Sequence, residues 1–200
     1  MRVDKVILRA AFSTLAAIFV LFAFMIFALN FLYPSTMMEI TYDLGMDSAS
    51  ISCARRAYNR DPAVEYIAFA TEVAIGLGDN EEIERCGDLF IDNEEFGEYC
   101  REKNESLTGL SSTYEQYVYG QVCVAKYRLG KVESALNRAF DSVGNAFPKN
   151  NAMVALLVTA LGANDGEMVE RIKLNFDRLT NLSADDAAYL DETSQNLLNE

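Results

Sequence analysis

The chain contains no histidine and no tryptophan, and only three prolines in 200 residues. Without histidine there is no Ser-His or Cys-His nucleophile system, and the commonest general base is missing. Zinc is disfavoured for the same reason. The four cysteines (Cys53, Cys86, Cys100 and Cys123) form no C-x₂₋₄-C knuckle, so neither a metal nor a cofactor is expected. Positive charge is also scarce: 17 Lys and Arg face 30 Asp and Glu, a net charge of −13. The first nine residues carry +2 (Arg2, Lys5 and Arg9 against Asp4), which leaves −15 on everything after them. A phosphate-binding face needs the opposite field, so nucleic acid is excluded as a partner class.

Charge of either sign is absent between Arg9 and Glu39. Residues 10–32 read AAFSTLAAIFVLFAFMIFALNFL, with Ser13, Thr14 and Asn30 as the only polar side chains. A hydrocarbon core about 30 Å thick needs roughly 20 helical residues. Residues 10–33 are therefore expected to cross a lipid bilayer, with Tyr33 at the headgroups and Pro34 turning the chain into a new helix. A cleaved signal peptide is the competing reading, but its apolar region is normally about 7–15 residues and ends in an A-x-A-like site. This run is longer, and Ala28-Leu29-Asn30 would put asparagine at the cut. The uncleaved anchor is preferred. Arg2, Lys5 and Arg9 precede the span while Glu39, Asp43 and Asp47 follow it, so the positive-inside rule makes residues 1–9 a cytoplasmic tail. Residues 36–200 become an extracytoplasmic domain of a single-pass protein of the cell membrane.

Beyond Pro34 the apolar residues repeat at helical spacing and no strand alternation stands out. Val132, Ala135, Leu136, Ala139, Phe140 and Val143 follow an i, i+3, i+4, i+7, i+8, i+11 pattern, and Met153, Leu156, Leu157, Ala160 and Leu161 repeat it. Gly45, Gly78, Gly130 and Gly166 lie between successive stripes, where helix ends call for left-handed backbone. Asp79 with Glu82, Ser112 with Glu115, and Ser183 with Asp186 have capping-box spacing. Pro62 and Pro148 are expected to open further helices, and a capping helix is expected from Ala184. The fold class is all-α.

Gly45 and Gly78 are 33 residues apart, and Gly130 is followed by Asn164-Asp165-Gly166 at 34–36. Gly45, Ala57 and Pro62 stand at the mutual distances that tetratricopeptide (TPR) repeats use, and residues 130–135 (GKVESA) match that family's turn and second-helix start. Phe147-Pro148-Lys149-Asn150 closes that unit one residue late, and Gly78 opens a third such turn. Over residues 36–180 the chain resembles a degenerate TPR protein, without the family's tryptophan or Leu-Gly signature. The resemblance implies a TPR-like solenoid, a stack of about four helical hairpins. The 52 residues between Gly78 and Gly130 exceed one repeat, which places an insertion at about 93–111 containing a helix at about 93–103.

Cys86 and Cys100 sit symmetrically about Asn93, so a helical hairpin there would bring them together as a disulfide in an oxidising compartment. Gly87 and Gly97 would permit the close approach. Burial as small apolar thiols is the alternative, and a Cys53–Cys123 pair a further one. Glu81-Glu82, Glu94-Glu95 and Asp185-Asp186 read as helix-start acids complementing the dipole, not as catalytic pairs. Gly76-Leu77-Gly78 lacks the strand and third glycine of a phosphate loop. Residues 92–103 put Phe96 and Lys103 where a calcium loop needs oxygen ligands. Tyr114, Tyr117, Tyr119 and Tyr127 crowd one helix, and there they either line a binding groove or pack as ordinary core. The expected function is a non-catalytic, membrane-tethered scaffold for one or more protein partners. A sensor or small-ligand-binding domain is the alternative.

Overall fold

The computed structural model describes residues 2–106, 113–142 and 152–176. Among these the chain is all-α, with ten helices and no strand. It divides into two compact units, Met1–Pro62 and Ala63–Glu200.

The first unit begins with α1 (Arg2–Leu32), whose apolar part, Leu8–Leu32, is 25 residues long and has no buried residue. At 1.5 Å per residue it measures about 37 Å, long and apolar enough to cross a bilayer with some tilt. Its two hydroxyl groups are satisfied inside the helix: Ser13 and Thr14 both donate to the Ala10 carbonyl at 2.9 Å. One residue, Tyr33, separates α1 from α2 (Pro34–Asp43), and Pro34 occupies the first turn, where its missing N–H costs nothing. Gly45, at φ 69°, turns α2 into α3 (Asp47–Arg60). The two helices bury Met37, Met38 and Thr41 on one side and Ile51, Cys53, Ala54 and Ala57 on the other.

The second unit contains α4 (Val64–Leu77), α5 (Asn80–Ile91), α6 (Phe96–Ser106), α7 (Tyr114–Arg128), α8 (Val132–Asp141), α9 (Ala152–Gly162) and α10 (Gly166–Phe176). Sequential neighbours pair as hairpins: α4 with α5, α7 with α8, and α9 with α10. Helix α7 is the hub, packed against α5, α6, α8 and α9. With α8, α9 and α10 it shares a continuous core that includes Cys123, Leu136, Met153, Leu156, Leu157 and Ile172. Pro62 precedes α4 by one residue and does not open it, since Ala63 holds the N-cap position.

The turns share one device. After α2, α4, α7 and α9, a residue at positive φ is followed by an N–H that bonds back to a carbonyl five residues earlier, closing a Schellman motif. The bonds run from Met46 to Thr41, Asp79 to Ala74, Lys131 to Lys126 and Asp165 to Ala160, at 2.8–3.2 Å. Glycine holds the left-handed position in three of them. In the fourth it is Asn164, at φ 54°, and not Gly166, which starts α10. Asparagine tolerates this backbone better than other side-chain-bearing residues. The left-handed residues thus stand 33, 52 and 34 positions apart along the chain.

Caps follow the same logic. Asp79 Oδ1 accepts from the backbone N–H of Glu81 and Glu82 at 3.1 and 3.2 Å. At α7 the cap is Thr113, accepting from Gln116 N at 3.3 Å. Ser112, Pro148, Ser183 with Asp186, and the capping helix from Ala184 lie outside the described residues.

Candidate interaction surface

Helix α6 (Phe96–Ser106) lies near the extra helix expected at about 93–103, starting three residues later. Asn93 starts the turn that leads into it, its Oδ1 accepting from Glu95 N at 2.9 Å. The helix packs against α7 and reaches α5 through Phe90, whose ring meets Phe96 at 4.8 Å and Tyr99 at 5.5 Å, both edge-on.

A mixed aromatic and charged cluster fixes α6 to α4 and α7. Tyr114 is buried and its hydroxyl donates to Glu72 Oε1 at 2.6 Å, while Lys103 Nζ lies 2.9 Å from the same oxygen. The Lys103 ammonium also stands over the rings of Tyr99 and Tyr114, 5.9 and 5.6 Å from their centroids. Burial and the adjacent Glu72 carboxylate push the Tyr114 hydroxyl far above its ordinary pKa, so it stays a neutral donor. Asn104 Oδ1 completes the attachment by accepting from Tyr114 N at 2.7 Å.

The four tyrosines do not line one groove. At about 100° per residue they point in different directions from α7. Tyr114 and Tyr117 are neighbours with centroids 6.4 Å apart, whereas Tyr119 turns to Phe96 at 5.8 Å. Tyr127 packs, with Tyr119, against the core shared with α8, α9 and α10 and donates to Asp165 Oδ2 at 2.8 Å. Among the four, Tyr117 alone is exposed, at 43%.

A second cluster ties α5, α7 and α8 together. The Lys126 side chain is only 5% exposed and its ammonium lies 2.5 Å from Asp88 Oδ2 and 3.4 Å from Glu84 Oε1. Lys131 reaches the other oxygen of Glu84 at 2.5 Å, and Arg138 spans Asp88 and Asp92 at 3.1 and 2.8 Å. Burial works against charge on Glu84, but Lys131 and Lys126 together hold it below the usual carboxylate range. These residues carry no motif. The one signal in the sequence is a lysine within the Val122, Cys123, Ala125 stretch of an otherwise buried helix.

All four cysteines are buried thiols. Cys86 Sγ donates to Glu82 Oε2 at 3.7 Å, one turn back on its own helix. Burial pushes the Cys100 and Cys123 thiols up to about 12 and raises that of Cys53. Gly87 does not serve an α5–α6 approach. A Cβ there would stand 2.2 Å from Val122 Cγ2, so this glycine seats α5 on α7, while Gly97 faces open space. Among the described residues no group of His, Cys, Asp and Glu could hold a metal ion. No protein family, curated protein or solved structure matches the chain.

Proposed function

We propose that this protein is a membrane-tethered, non-catalytic interaction module that presents TPR-like hairpins on the extracytoplasmic face. The observation that carries the reading is α1, whose 25-residue, largely apolar stretch is exposed along its length except where α3 meets its last turn, and which continues, through Tyr33, into a helical hairpin. Such a surface is unfavourable in water by roughly 25 cal/mol per Å² of apolar area, and lipid removes that cost. Arg2, Lys5 and Arg9 before the span, with no Lys or Arg from residue 33 to 54 after it, support the orientation. The interaction role is supported by how the buried polar groups are used. Lys126 and Tyr114 meet carboxylates on other helices and Tyr127 one in the α9–α10 turn, an arrangement that fixes geometry and leaves the exposed faces to recognise a protein. Tyr117, exposed beside the α6 attachment, is the contact we assign to that surface.

Site-specific photocrosslinking tests it in the full chain within native membranes. A crosslinker at position 117 should give a discrete heavier adduct that disappears when the partner is competed away. A monomer band alone at position 117, and equally at exposed Leu89 and Val158, would remove the interaction reading.

A further inference from the structure

Ten large apolar side chains are exposed among the described residues beyond α1. Five of them (Leu77, Leu89, Tyr117, Val158 and Leu174) are scattered one to a helix over the second unit. The other five fall within fourteen residues of the first: Tyr33, Ile40, Tyr42, Leu44 and Met46. Scattered apolar residues need no explanation, but a concentration beside a membrane span does.

We infer that the α2–α3 hairpin is a lipid-binding foot, lying on the outer membrane surface with Ile40, Leu44 and Met46 inserted at the headgroup–acyl boundary. This rests on the reading of α1 as a span. Three bonds fix the level of the hairpin. Cys53 Sγ and Arg56 Nη1 both donate to Asn30 Oδ1, at 3.5 and 2.6 Å, and Arg60 Nη1 donates to the Leu32 carbonyl at 3.1 Å. The Arg60 guanidinium also stands 5.1 Å from the centroid of the Phe31 ring. Passing along α3 from Arg60 toward the hairpin tip therefore means passing back along α1 from Leu32 to Asn30. The middle of α3 meets the last turn of the span, level with Asn30. With Arg9 marking the inner boundary, about 20 helical residues reach Leu29, which puts Asn30 at the headgroups.

The surface of α2 suits that position. Ile40 and Leu44 form one i, i+4 stripe and Glu39 and Asp43 another, about 100° away around the helix. One stripe can enter the acyl boundary while the acidic one stays in water, as in interfacial amphipathic helices. Leu44, 69% exposed, and Met46, 53% exposed, flank Gly45 at the tip. Arg56 and Arg60, both exposed at the base, stand where guanidinium groups pair with lipid phosphates.

The absence of tryptophan gives a clean probe. Leu44→Trp and Ile40→Trp variants of the full chain, reconstituted in phosphatidylcholine–phosphatidylglycerol vesicles, each carry one reporter at an exposed site. Exchange of the lipids for brominated-acyl analogues should quench both at least twofold, and both should emit to the blue of tryptophan in water. A Phe22→Trp variant at mid-span is the reference and should be quenched more strongly. If Phe22→Trp is quenched and the hairpin reporters stay bright, the foot is overturned and the anchor stands. Reporters that are blue-shifted yet unquenched would mean that protein, not lipid, covers the tip, which overturns the inference equally. A bright Phe22→Trp would bring down the anchor and the foot together.

Discussion

Single residues set how closely α5 and α7 approach and how inert the thiols are. Gly87 is required because Val122 Cγ2, in a fully buried side chain, occupies the space a Cβ would need. Gly87→Ala should destabilise the protein by about 1–3 kcal/mol, the usual cost of overpacking a core. Gly87→Ala combined with Val122→Ala should be more stable than the sum of the two single effects, read from denaturant midpoints as a double-mutant cycle. Strict additivity would show that the two residues do not meet. The thiols test burial in another way. Only a thiolate attacks a disulfide reagent, and Cys100 and Cys123 are pushed up to about 12 from an ordinary 9.0. Labelling in mildly alkaline buffer should therefore be slow at both positions until denaturant is added. Both thiols stay protonated in the fold while the unfolded chain ionises near pH 9, so stability is unaffected below that pH and falls between about 9 and 12. The slope is about 1.4 kcal/mol per pH unit for each thiol, and Tyr114 adds to it in the same direction. A flat alkaline limb in thermal melts would contradict the burial of these groups. Peptide mapping under non-reducing conditions reports directly whether Cys86 and Cys100 are thiols in the native membrane.

At the scale of elements, the polar attachment of α6 passes through Glu72, Lys103, Asn104 and Tyr114, beside ring contacts of Phe96 and Tyr99. Tyr114→Phe deletes the hydroxyl bond to Glu72 without touching the ring contacts. It should cost about 1–2 kcal/mol, as for a hydrogen bond to a partly exposed charged acceptor. Hydrogen exchange should then quicken in α6 while α9 and α10 keep their protection, because the insertion opens before the core does. Uniform acceleration would mean that α6 belongs to one cooperative unit with the rest. The same element shows what the sequence made legible. The surplus between Gly78 and Gly130 exposed an extra helix, because turn residues announce themselves locally through backbone that few residues tolerate. The hairpin pairing and the all-α class follow from those turns and from apolar stripes on α8 and α9. Helix α7 was legible only as a helix. Neighbours cover it on almost every side, so it has no polar face to mark its direction, and its four tyrosines gave no sign of which neighbour each would meet. The ion pairs were hidden for a related reason. Lys126, Asp88 and Arg138 come together only once α5, α7 and α8 are packed, and contacts 38–50 residues apart leave no local spacing.

For the molecule as a whole, the proposed orientation rests on the asymmetry of positive charge about α1. Three cations precede the span within nine residues, and the domain beyond it carries −15. Orientation is chosen while the chain is still unfolded, so cations count by their distance along the sequence. Arg55, Arg56 and Arg60 lie more than twenty residues past Leu32, beyond the roughly 15–20 that weigh on the choice, even though folding later returns Arg56 and Arg60 to Asn30 and Leu32. In the wild-type chain, protease added outside intact cells with an opened wall or outer membrane should therefore digest the domain completely. Arg2→Gln, Lys5→Gln and Arg9→Gln together leave only Asp4 charged on the tail, and the bias disappears. That variant should insert in both orientations, with a protected fraction of domain that becomes digestible only after lysis. The acidic domain itself does not restore the bias, because Asp and Glu contribute little to the rule. A wild-type domain protected before lysis would reverse the orientation. A triple variant digested as fully as the wild type would show that something other than the N-terminal cations sets it.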